Sequence, residues 1–403
     1  MRRYILFLLL SLCTLDTFAQ ADSTLVPATD SDHIRISILT CGVGDELYSS
    51  FGHTGVRVMD TRSGADEVYN YGTFNFNDPD FYQKFTLGKL PYYLEKGAYG
   101  DFMYTYVEEK RNVREQVLDL STDQKRRMIR YLENNLKPEY REYQYDFLFD
   151  NCATRVRDIF PRVLGDEFYF GDVLSNKKIS YRDILNQYLA DKHWERFGIN
   201  LLLGSKVDSL MTDEGAMFLP DFIHKGLVHA KFRGKHVVGS DRVILDHKHV
   251  YHTTFNGPLW MMIGLLILTA LSFLVRSFRY LKAVLRFLLL FITGLLGIFM
   301  LFMWLCTNHQ SCADNFNILW AVPFNVIVAF VAHKRKQGLR IYALAAISLV
   351  IVALIVHLLG FQRMPLIELA PLLLCMMYIY IDMYKQNIGG TAPAADAADT
   401  ANK

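Results

Sequence analysis

The sequence predicts an α+β domain outside the membrane followed by a five-helix transmembrane domain. Three observations predict this. Apolar residues are unevenly spread: 51% of the 403 residues are hydrophobic and mean hydropathy is +0.12, with the excess concentrated after residue 257. Ahead of that point, short alternating runs mix with stretches of helical period. The first residues read as a secretory signal over 1–19: Arg2 and Arg3, the apolar run Tyr4 to Leu15, then Thr17-Phe18-Ala19 as a small-x-small cleavage site.

The elements follow in order. Residues 20–32 are polar and read as a leader. Ile34, Ile36 and Ile38 alternate with other residues and predict a strand. Asp45 to Phe51 suits one or two helical turns. His53 to Met59 alternates again, with Val56 and Val58 on one face and His53, Gly55 and Arg57 on the other. A turn-rich link leads to its hairpin partner, Glu67 to Gly72. Asn77-Asp78-Pro79 starts a short helix, Leu90 to Glu95 is a strand, and Asn112 to Leu120 another. Ser121-Thr122-Asp123-Gln124 is a capping box for a helix to about Asn135. Short helices are expected around 181–190 and 213–227, and a hairpin over Val237 to Val250 with Gly239-Ser240-Asp241 at its turn. Tyrosine and phenylalanine are dense between 69 and 104. Core and sheet aromatics are the ordinary reading; a lipid-facing groove is the sharper one.

Five apolar segments come next: Leu259–Val275, Val284–Leu305, Ile318–Ala332, Tyr342–Leu359 and Pro365–Asp382. Arg276, Arg279, Lys282 and Arg286 surround the first connection, and Lys334, Arg335, Lys336 and Arg340 the third. The other two carry only Arg363. The positive-inside rule makes the basic loops cytoplasmic, so residues 20–257 lie outside, in agreement with the signal. The expected organisation is a signal over 1–19, a periplasmic domain over 20–257, a membrane domain over 258–384 and a disordered cytoplasmic tail over 385–403, in a multi-pass inner-membrane protein.

Net charge is +2, so no whole-chain basic field for nucleic acid exists. After the signal five cysteines remain, Cys41, Cys152, Cys306, Cys312 and Cys375. An odd number in an exported chain implies a free thiol. Cys306 and Cys312 flank His309 in an outer loop and are candidates for a disulfide. Six of the 12 histidines fall between 224 and 252, but His247 and His249 have no convincing third ligand, so no metal site is expected.

The chemical signal is Asp150-Asn151-Cys152-Ala153-Thr154. Asp150 and Asn151 are good N-caps, and apolar residues at 153, 156, 159 and 160 give a helical period. Cys152 therefore opens a helix, where unpaired N–H groups and the helix dipole favour a thiolate. The best base for it is His53. Asn70, on the partner strand, is the candidate that orients the imidazole, as in papain-like triads. Arg57 is a candidate for an anionic group and Tyr71 for substrate contact. His309, Asn315 and Asn317 are candidates for lipid headgroups.

Glu46 to Val58, Val68 to Phe76 and Asp150 to Thr154, together with His309 and Asn315 to Pro323, resemble the Bacteroides-type lipoprotein N-acyltransferase (Lnb) family. The resemblance implies a circularly permuted papain-like thiol acyltransferase domain, with Cys152 as nucleophile and His53 as base. It implies N-acylation of a diacylated lipoprotein acceptor, with a membrane phospholipid as acyl donor and no cofactor. The rival readings are a membrane-anchored cysteine peptidase or amidase acting on cell-wall peptides, and a non-catalytic envelope assembly factor.

Overall fold

The computed structural model describes residues 33–247, 254–334 and 336–387. The expected signal, the leader, His249 and the expected tail from residue 388 lie outside the described residues.

The alternating runs form β1 (Ile34–Cys41), β2 (His53–Asp60), β3 (Asp66–Thr73), β4 (Pro91–Ala98), β5 (Val113–Leu118) and β6 (Glu142–Gln144). Three two-residue strands, β7 (Phe168–Tyr169), β8 (Lys231–Phe232) and β9 (Lys235–His236), make a small separate sheet. With β10 (Val238–Leu245), the first six form a seven-stranded antiparallel sheet in the order β10-β5-β1-β2-β3-β4-β6.

Side chains alternate across a strand, so each face gets its own core. Ile36, Ile38, Val56, Tyr69 and Tyr71 face the helix Cys152–Leu164 through Ala153, Val156, Ile159 and Phe160. Leu39, Cys41 and Val68 face the helix Tyr99–Glu108 through Met103 and Tyr106. The capping box at Ser121 is present, and its helix runs Thr122–Leu136.

Two expectations are corrected. The turn expected at Gly239-Ser240-Asp241 is not formed: Val238–Leu245 is a single strand at the sheet edge. Gly239 lies at a register shift in its pairing with β5 rather than at a turn, and Arg242 is tied to Glu115 of β5 at 2.8 Å. The third apolar segment is not one long helix. Four helices among the described residues are long and apolar enough to cross a membrane: Gly257–Leu274, Arg276–Leu305, Gln337–Leu358 and Leu366–Gln386. Residues Phe316–Leu319 form a 3-10 turn, and helix resumes only at Asn325–Val331. Pro323 explains the break, since it lacks an N–H and disfavours helix at the residue before it. Gly294 and Gly297 accept the broken backbone: a Cβ on Gly297 would sit 1.8 Å from Ala321 O, and one on Gly294 2.4 Å from Val326 N.

The helix His193–Leu202 joins the two halves. Its Phe197 and Leu201 belong to the core built by the membrane helices.

Candidate active site

Asn151 caps the helix that begins at Cys152. Its side chain accepts from Thr154 N at 2.9 Å, and Thr154 Oγ1 accepts from Asn151 N at 2.8 Å. Its amide also donates to Phe147 O at 2.7 Å and Phe218 O at 2.9 Å. The cap is thus locked to two other segments, and Cys152 is held at the first helical position. Residues there have N–H groups without intrahelical partners.

His53 begins β2. Its Nε2 lies 2.6 Å from Asn70 Oδ1, which leaves Nδ1 for the Cys152 thiol, its other hydrogen-bond partner. The sequence-predicted trio of Cys152, His53 and Asn70 is therefore brought together. Gly72 makes room for the meeting. It sits at φ +95° in a register shift between Tyr71 and Thr73, a conformation that favours glycine. A Cβ placed on it would lie 3.6 Å from Cys152 Cβ, 3.9 Å from His53 Cε1 and 4.0 Å from the Tyr143 hydroxyl.

The electrostatics suit an ion pair. Burial pushes the Cys152 thiol up, but the adjacent His53 imidazolium, their hydrogen bond and the backbone N–H groups of Thr54 and Ala153 outweigh it and bring it below the ordinary range. Burial pushes His53 down, while the Cys152 thiolate and the hydrogen bonds to Cys152 and Asn70 leave it raised. Mutual stabilisation of thiolate and imidazolium is the activated state of thiol hydrolases and acyltransferases. Cys41, by contrast, is fully buried, and burial pushes it up to about 12.

Tyr143 is the member that sequence reasoning missed. It is 8% exposed, and its hydroxyl has no hydrogen-bond partner among the described residues. Burial and the nearby Cys152 charge both raise its pKa, so the hydroxyl keeps its proton. Nothing local in Glu142-Tyr143-Gln144 signals this placement, which comes from strand β6 reaching the sheet edge beside β4.

A cavity of about 470 Å³ opens beside His53 and Asn70, lined further by Gly52, Glu95, Asp101 and Phe102.

The remaining candidates sit elsewhere. Arg57 is turned away from the site: it forms a two-point bond to Asp66, its Nε at 2.7 Å, and reaches Glu115 at 3.0 Å while stacking on Tyr99. It neutralises the buried Glu115 carboxylate, whose pKa stays low despite burial because Ser37, Arg242 and Arg57 surround it. Tyr71 is a core side chain, 2% exposed, packed edge-on to Tyr143, so it has no surface for substrate. Asn315 and Asn317 are fully buried and face protein rather than headgroups. Asn315 donates to Leu201 O at 2.8 Å and Leu202 O at 3.0 Å, satisfying last-turn carbonyls of the helix His193–Leu202. Asn317 donates to Leu201 O at 3.1 Å and accepts from Trp320 Nε1 at 3.0 Å. His309 Nε2 lies 3.1 Å from Phe85 O and 3.2 Å from Thr86 O, at the end of the helix Phe81–Thr86. These three residues join the outer loop to the domain above it. The expected bridge between Cys306 and Cys312 is absent: both are free thiols, Cys306 exposed after its helix end and Cys312 buried under the domain. Burial, with the charge of Asp146 nearby, pushes Cys312 up to about 11.

Compared with known families, residues 23–187 match the Lnb N-terminal periplasmic domain and residues 251–387 match the Lnb transmembrane domain. No curated protein and no solved structure matches the chain.

Proposed function

The chain belongs to the Lnb family, as a membrane protein with a periplasmic domain, and from that premise we propose that it is a lipoprotein N-acyltransferase of the bacterial inner membrane. The observation that carries the proposal is the Cys152–His53–Asn70 constellation at a helix start. On this reading the Cys152 thiolate attacks an ester carbonyl of a membrane phospholipid. The first-turn N–H of Cys152 and the Tyr143 hydroxyl donate to the oxyanion. The ester C–O bond breaks, the His53 imidazolium gives its proton to the departing lysophospholipid hydroxyl, and the acyl chain remains on Cys152 as a thioester. The α-amino group of a diacylglyceryl-cysteine lipoprotein then attacks. His53 takes the amine proton, the C–S bond breaks, and the amide product leaves the thiolate–imidazolium pair restored. Asn70 holds the imidazole in register throughout. The cavity beside His53 gives room for the acceptor's amine-bearing end.

The test is mass spectrometry of a lipoprotein's N-terminal peptide from cells carrying the protein or its Cys152→Ala variant. A third acyl chain that depends on Cys152 is expected. Unchanged acylation with the variant, or cleavage of cell-wall peptides without any lipoprotein acylation, would overturn the proposal in favour of the peptidase or assembly-factor readings.

A further inference from the structure

We propose that the Phe76–Phe85 face is seated in the outer leaflet of the bilayer and is where a phospholipid acyl chain leaves the membrane for Cys152. The seating stands on the observations below; the acyl route rests additionally on the acyltransferase reading.

The surface is aromatic where an ordinary surface would be polar. Phe76 is 72% exposed, Tyr82 83% and Phe85 51%. Contiguous apolar surface of this kind marks an interaction site. Of its charges, Lys84 is paired with Asp78 at 2.7 Å, and the exposed Asp80 carboxylate stands at the start of the helix Phe81–Thr86, which sets the seating at headgroup level rather than in the hydrocarbon. Tyrosine and tryptophan concentrate at the membrane interface because an apolar ring carries a polar group that tolerates water; Tyr82 is of this kind, and Phe76 and Phe85 add apolar area beside it.

Continuity with the membrane helices places the surface at that level. Asn308 N donates to Leu87 O at 2.9 Å, and His309 binds the two preceding carbonyls. Gly88 packs so closely that a Cβ there would lie 3.2 Å from His309 N. Asn308 is three residues beyond Leu305, the end of an apolar membrane helix. Three residues span at most about 10 Å, so the helix Phe81–Thr86 is held within headgroup depth of that end.

The same rings lead inward. Phe85 lies 6.1 Å from Phe81, centroid to centroid, Phe81 5.8 Å from Phe74, and Phe74 5.0 Å from Tyr92. Tyr92 stacks on Tyr145 at 4.3 Å and approaches Tyr143 at 6.5 Å. Tyr143 and Tyr145 both feel the charge of Cys152. A chain of ring contacts thus runs from the exposed Phe85 to Tyr143, whose hydroxyl lies beside the same Gly72 position as Cys152 Cβ. It offers an acyl chain an apolar route that avoids water, which is the requirement of any reaction that lifts a chain from a leaflet.

The experiment uses the full chain in phosphatidylcholine vesicles containing a phosphatidylcholine with a photoactivatable diazirine in its acyl chain. Mapping adducts by mass spectrometry should find them on the 76–85 peptide as well as on the membrane helices. Adducts confined to the membrane helices would overturn the seating. A Phe76→Ser, Tyr82→Ser, Phe85→Ser triple variant should lose its 76–85 adducts. It should slow acyl transfer from vesicle phospholipid by at least about tenfold, while iodoacetamide still alkylates Cys152 at the unaltered rate. Transfer at full rate in the triple variant would overturn the acyl route. Adducts on 76–85 in a protein that acylates nothing would support the seating while overturning the acyltransferase reading, so the two failures are distinguishable.

Discussion

Tyr143→Phe removes one oxygen and separates a structural role from a chemical one. Among the described residues the hydroxyl has no hydrogen-bond partner although the side chain is only 8% exposed. Leaving a buried polar group unpartnered costs about 1–3 kcal/mol. Its deletion should therefore leave stability unchanged or raise it, up to that amount. In the reaction the sign reverses. If the hydroxyl donates to the oxyanion, its loss should slow Cys152 acylation by about 10²–10³-fold, or roughly 2.7–4 kcal/mol of transition-state stabilisation. The assay pairs denaturant midpoints of the detergent-solubilised protein with single-turnover formation of the Cys152 thioester, followed by intact mass. The pH dependence of Cys152 alkylation serves as the control for an intact thiolate. A variant that acylates at the parental rate would refute the oxyanion role. A variant that loses more than about 1 kcal/mol of stability would refute the claim that the hydroxyl is unpartnered.

Other predictions follow from the same geometry. Iodoacetamide should alkylate Cys152 with a pH midpoint below the ordinary thiol range, because the imidazolium stabilises the thiolate. Asn70→Ala should move that midpoint upward, because the hydrogen bond that helps raise the His53 pKa is lost; an unmoved midpoint would argue against Asn70 as the orienting amide. In unreduced protein Cys306 should react readily with a maleimide and Cys312 slowly, given its burial and raised pKa; an intact mass two hydrogens short of the free dithiol would show a bridge instead. Asn317→Leu leaves the buried Trp320 N–H without its acceptor and should cost about 1–3 kcal/mol, read as easier proteolysis near 200–205 while Cys152 alkylation stays unchanged.

The parts legible in the sequence were those whose cause is local. Asn151 and Thr154 cap a helix by their own spacing, so the position of Cys152 could be read directly. His53 and Asn70 share a sheet face because adjacent antiparallel strands impose a register, and that register follows from two alternating runs joined by a turn-rich link. Arg57 shares the alternation of His53, but sequence could not show that Glu115, from a strand far along the chain, is buried beside it and needs its charge. Tyr71 was misplaced for a related reason: period two says which residues share a face, not which face carries the core. Tyr143 was invisible because its significance is a missing partner, and only the assembled neighbourhood reveals that. The third apolar segment had the hydropathy of a membrane helix, and Pro323 was the available warning. What makes the break tolerable is the pair Gly294 and Gly297 on another helix, whose bare backbone accepts it.

The outer-loop residues carry a different lesson about what the membrane half is for. A peptidase needs an anchor only to stay near its substrate, and a flexible tether would suffice. Here the loop is bound at several separated points. His309 and Asn308 hold the end of the helix Phe81–Thr86. Asn315 and Asn317 hold the last turn of the helix His193–Leu202. Gly204 N donates to Ser311 O at 2.9 Å, and from the other outer loop Arg363 reaches Asp183 at 2.7 Å and Asp208 at 3.2 Å. Contacts at separated points remove rotation as well as translation, so the domain has one orientation on its helices. That orientation brings Asp146, just ahead of the Cys152 helix, near the outer-loop Cys312. A sixteen-carbon chain costs on the order of 10 kcal/mol to expose to water, so a sulfur that must meet such a chain gains from being held at a set height above the leaflet. Rigid docking is therefore better explained by chemistry on a membrane-resident substrate than by retention alone, and the asparagines expected to touch lipid would serve that chemistry from inside the protein.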